Sequence, residues 1–196
     1  ASALTKLRTK AAKAVEQQMQ AYLVPLGMPN VRFAVELITK KEPDTKGMDG
    51  VNFLFSANKN GVLQNVATIA SGGEIARVML SLKAMIASAV KLPTIIFDEI
   101  DTGVSGSIAE KMALIMQEMG RADRQVISIT HLPQIAAKGA NHYKVYKEDT
   151  ETGTNSHIRQ LNQEERIHEI ANMLSGATLT EAALNNAKAL LNNESI

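Results

Sequence analysis

The chain lacks cysteine and tryptophan, and it has three tyrosines and four phenylalanines among its 196 residues. The absence of cysteine excludes disulfides and thiolate metal sites, and it fits a reducing compartment. The scarcity of rings argues against a surface that binds nucleic acid by base stacking. No apolar run approaches the ~20 residues that span a bilayer, and the opening ASALTKLRTK lacks the apolar segment of a signal peptide. We therefore expect a cytoplasmic protein with no membrane partner.

Neither sign of charge dominates, since 21 Lys and Arg stand against 20 Asp and Glu, a formal net charge of +1. Such a balance neither demands nor excludes a nucleic-acid partner, because a local basic surface can exist within a neutral total. Hydrophobic residues make up 45% of the chain, enough to form a core and to exclude disorder as the main state. The length fits one domain, or one large domain with an appendage.

Several motifs of enzyme sites are missing from the chain. It contains no HExxH zinc motif, no GxSxG nucleophile turn and no GxxxxGK[ST] phosphate loop. That loop and its lysine hold the β- and γ-phosphates in many NTPases. If the chain acts on ATP, it therefore supplies part of a nucleotide site.

Apolar spacing predicts the order of the elements. Positions three and four apart predict an amphipathic helix over 3–24, ended by Pro25 and Gly27. The predicted elements that follow are strands 31–38 and 51–55 separated by the loop KKEPDTKGMDG, helix 75–90, strand 94–97, helix 105–119, strand 125–129, a hairpin of HYKVYKE and SHIRQL, and helices 163–174 and 179–192. Wholly apolar strands that alternate with helices predict an α/β fold with a mainly parallel sheet flanked by helices on both faces.

Polar side chains follow both apolar strands of this predicted sheet. Asp98 and Glu99 come after strand 94–97, and His131 comes just after strand 125–129. Ligands of such sheets bind beyond the carboxyl ends of the strands. One carboxylate would hold Mg²⁺ and the other would polarise an attacking water. The alternatives are exposed or helix-capping acids, Asp101 included, and a structural histidine.

The segment Ser71-Gly72-Gly73-Glu74 stands at the start of a predicted helix. Two glycines leave backbone N–H groups unobstructed at a helix N-terminus, where the helix dipole also favours an anion. The segment is therefore a candidate phosphate site. The alternative is an ordinary N-cap formed by Ser71.

These segments together resemble a known family. ASGGEIARVMLSLK, TIIFDEIDTGVSG and VISITHLPQIAAKGANHYKVYKE are similar to the C-terminal half of the ATPase head of RecN, bacterial DNA double-strand-break repair proteins related to SMC proteins and ABC ATPases. EERIHEIANMLSG also resembles that family, so the likeness covers nearly the whole chain. The combination is specific, although each piece alone is not.

The resemblance implies a role for each candidate residue. The ABC signature, which contacts the γ-phosphate of ATP bound to the opposing head, corresponds to Ser71, Gly72, Gly73 and Glu74, although Ala70 and Glu74 replace the usual Leu and Gln. Asp98 corresponds to the Walker B aspartate that supports Mg²⁺, and Glu99 to the catalytic glutamate. Asp101 corresponds to the D-loop that crosses the interface between heads, and His131 to the switch histidine near the γ-phosphate.

The resemblance also implies what the chain needs from elsewhere. Residues 1–24 would be the end of a coiled-coil arm and residues 25–196 the C-terminal lobe of the head, although 1–24 can also be read as an ordinary domain helix. The implied partners are the N-terminal lobe with its phosphate loop, a second head, and DNA. The implied activity is ATP hydrolysis by the intact, nucleoid-associated protein, whereas this chain alone would be inactive.

Two other functions remain open from the residues. One is a non-catalytic interaction module that dimerises or docks a partner. The other is a metal-dependent nuclease using Asp98, Glu99 and Asp101, which would leave the SGGE helix start without a role.

Overall fold

The computed structural model describes residues 1–68, 71–90, 92–121, 124–150, 153–176 and 178–192. Ala70 and part of the predicted turn between the last two strands lie outside these residues. The elements, in chain order, are α1 (Ser2–Leu23), β1 (Arg32–Asp44), β2 (Gly47–Ser56), β3 (Gln64–Asn65), α2 (Gly72–Ala89), β4 (Thr94–Asp98), α3 (Gly106–Arg121), β5 (Gln125–Ile129), α4 (Pro133–Ala137), β6 (Tyr143–Thr150), β7 (Gly153–Gln160), α5 (Gln163–Ser175) and α6 (Glu181–Asn192). Their contacts divide the chain into a first unit of residues 1–95 and 100–104 and a second unit of residues 96–99 and 105–196.

The core of the first unit lies where α1 and α2 pack against each other and α1 packs against β1. It is made by buried apolar side chains: Met19, Leu23, Met28, Val31, Phe55 and Val78. The predicted first helix is confirmed within a residue at each end. Burial of these side chains is the main contribution to the stability of the unit.

The apolar positions of α1 divide into two groups. Near its C-terminus Met19 and Leu23 are fully buried. Near its N-terminus Leu7 is 66% exposed. We call the four positions at heptad spacing in this half the heptad stripe: Leu4, Leu7, Ala11 and Ala14, all exposed. The described residues of the first unit therefore leave these four positions exposed.

Polar contacts fasten the other face of α1 to the β1–β2 hairpin. The buried Asp49 carboxylate accepts hydrogen bonds from the Thr5 hydroxyl at 2.9 and 3.0 Å and from Arg8 Nη1 at 2.9 Å. The hydrogen bond from Arg8 holds the pKa of Asp49 below its ordinary value. Further along the helix, Glu16 accepts the N–H of Val35 at 2.8 Å. The helix and the hairpin are thus joined at both ends.

The predicted loop KKEPDTKGMDG is wrong. β1 continues to Asp44 and β2 begins at Gly47, so that antiparallel pairing runs almost to the tip of a hairpin, with a register shift between Thr39 and Asp44. Cross-strand pairing and the ties from α1 to Asp49 outweigh the weak strand propensity of this polar segment. Positive φ at Gly47 (94°) allows the tight return.

The second unit packs α5 and α6 against each other and against α4. Its core consists of Ala137, Ile170, Ala171, Ala183, Ala187 and Leu191. The predicted hairpin is confirmed as the antiparallel pair β6–β7. α5 begins with a capping box between Asn162 and Glu165, and it ends before Gly176, whose φ of 70° suits a helix C-terminus. The short α4 is not among the predicted helices.

The strands β4 and β5 are neighbours, and the Glu99 N–H donates to Ile129 O at 3.2 Å. Because both residues stand at the carboxyl ends of their strands, the two strands run parallel. The predicted α/β class is confirmed, although within the described residues parallel pairing is confined to β4 and β5, since the other sheets are antiparallel. The sheet also differs from the prediction that both faces are covered, because Ile96 is 54% and Ile129 51% exposed. Among the described residues no helix combines the length and the apolar character needed to cross a membrane.

Candidate functional site

The carboxyl edge of β4 and β5 brings three predicted site residues together. Alternation along β4 buries Phe97 and turns Asp98 toward the exposed face. Glu99 is joined through its N–H to Ile129, the last residue of β5, and His131 follows two residues later. The side chains of Asp98, Glu99 and His131 are all exposed. The predicted grouping of two carboxylates and an imidazole at one sheet edge is therefore what the second unit presents.

The backbone of Glu99 is unusual. Its φ of 47° lies in the left-handed region, and it is the one non-glycine residue with positive φ among the described residues. This conformation costs of order 1–3 kcal/mol for a non-glycine residue, and it persists where the surrounding structure imposes it, often at functional sites. The N–H bond to Ile129 is part of that constraint. Glu99 therefore has a backbone conformation of the kind that is often found at functional sites.

A compact turn sets the position of His131. The Thr130 hydroxyl accepts the N–H of Leu132 at 3.0 Å, and Pro133 then begins α4. Proline suits the first turn of a helix, because the N–H that it lacks would have no acceptor within the helix there. His131 thus stands in the turn between β5 and α4, two residues after Ile129, which accepts the Glu99 N–H.

The edge offers one carboxylate site that suits Mg²⁺. Asp98 is an exposed oxygen donor at a strand end, and Mg²⁺ is commonly bound through one or two carboxylates, with water and substrate phosphates completing the octahedron. Among the described residues no group of three His, Asp or Glu could hold a metal by itself. The residues present fit a magnesium ion that arrives with a phosphate ligand.

The start of α2 fits the phosphate interpretation better than the capping one. Ser71 occupies the N-cap position with extended backbone, but its side chain makes no capping hydrogen bond. The first intrahelical bond runs from the Ile75 N–H to Ser71 O at 3.0 Å. The N–H groups of Gly72, Gly73 and Glu74 consequently have no acceptor within the helix. The helix start thus carries three backbone N–H groups without an acceptor in the helix and the exposed Ser71 hydroxyl, which are the kinds of donor that an anion site uses.

Gly72 and Gly73 differ in how closely other residues approach them. Gly72 is exposed, and a Cβ built on it would meet nothing nearer than Thr102 O at 3.9 Å. Gly73 is buried, and a Cβ there would lie 2.5 Å from Gly103 O. Gly103 has φ of 74°, and a Cβ built on it would lie 3.0 Å from Gly73 N. The start of α2 therefore packs backbone to backbone on the turn that follows β4 and Glu99.

Substituting these glycines should separate folding from phosphate binding. Gly73→Ala should destabilise the chain by about 1–3 kcal/mol, because the added methyl cannot be accommodated against a backbone carbonyl. Gly72→Ala should leave stability within about 0.5 kcal/mol. Urea unfolding of this chain followed by circular dichroism measures both, and equal midpoints for the two variants would contradict the packing role of Gly73.

Asp101 lies in the same turn, but its side chain is 1% exposed. Its carbonyl accepts the N–H of Val104 at 3.1 Å, which closes the turn. Asp101 belongs with Ser71–Glu74 to the first unit, whereas Asp98, Glu99 and His131 belong to the second. The Asp101 carboxylate is therefore buried, unlike the exposed carboxylates of Asp98 and Glu99.

The other histidines do not join the edge. His157 stacks on Tyr146 and lies 3.1 Å from Glu148, within the β6–β7 hairpin. Burial lowers the pKa of His142, and the nearby Arg166 charge lowers it further. These contacts are those of structural or surface histidines.

The sequence also carries an uneven distribution of charge that its motifs do not report. Residues 1–95 hold twelve Lys and Arg against six Asp and Glu, whereas residues 96–196 hold nine against fourteen, giving formal charges of +6 and −5. We call the exposed cations spaced four and three apart on α1 the lysine face: Lys6, Lys10 and Lys13. Counting charge by halves would have found this basic region, which the balanced total conceals.

Comparison with known proteins decides the family resemblance. No protein-family model matches the chain. Over 191 residues, 97% of its length, the chain is 41% identical to the DNA repair protein RecN of Rickettsia felis, and it spans 35% of that relative. The resemblance to RecN is confirmed. The chain spans about a third of the length of the RecN proteins it matches.

Solved structures confirm the fold of this RecN-like chain. The Smc head domain with a coiled coil and joint derived from Pyrococcus yayanosii superposes with a TM-score of 0.66 at 20% identity, over 86% of this chain and 30% of that one. A chain solved in work on ATP-driven dimerization and DNA-stimulated activation of SMC ATPases superposes with a TM-score of 0.60 at 18% identity, over 88% of this chain and 99% of that one. At such identities the likeness concerns the fold alone.

Proposed function

We propose that this chain forms part of the ATP-hydrolysing head of a RecN-like DNA repair protein, acting in the cytoplasm on nucleoid DNA. The observation that carries the proposal is the strained Glu99, held by Ile129 at the edge where Asp98 and His131 also stand. The similarity to RecN from end to end supports the family context.

The residues divide the chemistry between them. Asp98 would hold Mg²⁺, which neutralises charge on the phosphates when bound. Glu99 would orient and polarise the attacking water, and His131 would donate a hydrogen bond toward the γ-phosphate. The signature Ser71-Gly72-Gly73-Glu74, with Asp101 shaping the adjoining turn, would bind the γ-phosphate of ATP held by an opposing head. Both heads would then be needed for turnover.

The remainder of the head would come from the part of the protein outside this chain. The exposed isoleucines on β4 and β5, with β4 the one neighbour of β5 among the described strands, leave an apolar face and a strand edge for a second lobe that carries the phosphate loop. The heptad stripe of α1 would likewise pack against a second helix of a coiled-coil arm. Residues 1–24 would thus be the end of the arm and 25–196 the C-terminal lobe.

The lysine face supports the proposal that DNA is a partner. Lys6, Lys10 and Lys13 are exposed on a side of α1 distinct from both the heptad stripe and the face that binds the hairpin. Phosphate contacts by such cations bind duplex DNA without reading its sequence. Such binding does not require base stacking on aromatic side chains, of which this chain has few.

Replacing the three lysines of this face by glutamine should weaken DNA binding by the full-length protein. The slope of log affinity against log salt should become shallower by about 2.7, because each phosphate contact contributes about 0.9. A variant with Lys111, Lys147 and Lys188 replaced, all exposed in the acidic half, carries the same charge change and should keep the original slope. Equal slopes for both variants would place the DNA elsewhere.

Phosphate release and DNA cleavage by the full-length protein, each with and without Mg²⁺ and ATP, test the proposed activity. We expect phosphate release that requires Mg²⁺ and no cleavage of DNA. Metal-dependent cleavage without ATP would instead support the nuclease, against which the burial of Asp101 already argues. DNA binding without any turnover would support the interaction module.

A further inference from the structure

We infer that Arg77 is a positioning residue for the phosphate site at the start of α2, an inference that rests on the proposed ATPase function. Arg77 stands one helical turn after Gly73, and its Nε donates to Gly73 O at 2.8 Å. Its Nη1 donates to Leu26 O at 3.0 Å. One guanidinium thus joins the signature backbone to the turn that follows α1.

The bond to Gly73 O acts directly on the donors of the phosphate site. In a trans peptide the C=O of one residue and the N–H of the next point in opposite directions within one rigid plane. Fixing the Gly73 carbonyl therefore fixes the N–H of Glu74, one of the three donors without an acceptor in the helix. Without such a bond, the first peptide groups of a helix are held less firmly than those in its interior, because helix ends fray.

The bond to Leu26 O connects the Gly73–Glu74 peptide plane, through Arg77, to a residue outside α2. The Leu26 side chain is fully buried, and the adjoining Gly27 adopts φ of 81° to make the turn. Below Arg77, the buried Ser81 hydroxyl donates to Arg77 O at 2.8 Å. The planar fork of arginine suits this bridge, since its donors are fixed relative to each other and the charge strengthens both bonds. The N–H donors of the phosphate site are thereby positioned relative to the turn that follows α1, and not by α2 alone.

The first unit contains a matched control for this arrangement. Arg32 also bridges two backbone carbonyls, donating from Nη1 to Lys59 O and Gly61 O at 3.2 Å each. Those carbonyls belong to the loop after β2 and not to α2. Arg32→Met and Arg77→Met therefore each remove one guanidinium bridge. Of the two, only the Arg77 bridge contacts the signature segment.

Steady-state Mg-ATP hydrolysis and ATP binding by the full-length protein test the inference. We expect Arg77→Met to lower kcat by about 10- to 100-fold with little change in ATP affinity, because misplaced donors impair the reacting geometry and not the initial binding. Arg32→Met should leave both parameters near wild type once melting temperatures are taken into account. If Arg77→Met does not fold, Arg77→Lys keeps the charge but cannot span both carbonyls, and it should show the same loss of kcat.

Two outcomes separate the inference from the proposed function. A wild-type protein that hydrolyses ATP, with Arg77 and Arg32 variants that change only the melting temperature, would overturn the role of Arg77 and leave the ATPase proposal intact. A wild-type protein without ATP turnover would overturn the ATPase proposal itself, and with it this inference.

Discussion

Replacing Glu99 by glutamine should abolish ATP turnover by the full-length protein while ATP remains bound. The amide keeps the size of the side chain, but it loses the negative charge that polarises water. General-base groups contribute about 10²- to 10⁴-fold to rate, so a loss of at least about 100-fold in kcat is expected. Phosphate release gives the rate, and nucleotide retained after rapid gel filtration gives the bound ATP.

A matched control for this substitution is Glu118→Gln, which makes the same change at an exposed position of α3 in the same unit. It should leave kcat near wild type. The prediction depends on Glu99 standing at the reacting edge rather than merely ending β4. Turnover within about threefold of wild type in Glu99→Gln would sink the catalytic role, because surface glutamates away from a site have effects of that size or smaller.

The sequence predicts this edge well because strand ends and apolar runs are local patterns. Placing Asp98, Glu99 and His131 together required only that two apolar strands be parallel neighbours, and the bond from Glu99 to Ile129 meets that condition. Local patterns do not report what lies across a strand or a turn. The strained φ of Glu99 and the contact between Gly73 and Gly103 depend on segments about 30 residues apart in the chain, and spacing rules carry no such information.

Coverage of the sheet fails as a prediction for a related reason. The apolar character of Ile96 and Ile129 predicts that both are buried, but both are exposed, because periodicity does not show whether anything packs on a strand face. The prediction for the hairpin tip is wrong in the opposite sense, because a predicted loop is ordered strand. Its polar residues read as a loop, whereas pairing across the hairpin and the Arg8–Asp49 contact hold it as strand. Both misses arise where tertiary partners outweigh local composition.

A second large effect should follow from Ser71→Asp, which places a carboxylate at the start of α2. Aspartate is a favoured N-cap, so the helix should fold as well as before. Its carboxylate would take the N–H donors that the Ser71 side chain leaves open, and it would repel a γ-phosphate. We expect kcat of the full-length protein to fall by about 100-fold or more. Thr180→Asp puts the same residue before α6 and should be silent.

Mixing the two inactive proteins distinguishes which head each residue serves. If Ser71 acts on the opposing head's nucleotide and Glu99 on its own, a mixed dimer of Ser71→Asp and Glu99→Gln has one site with both defects and one with neither. The mixture should therefore regain ATP hydrolysis that neither variant shows alone. If both residues serve the same nucleotide, each site of the mixed dimer carries one defect and no activity returns. A mixture as inactive as its components, under conditions where the heads exchange, would thus rule out a site shared between heads.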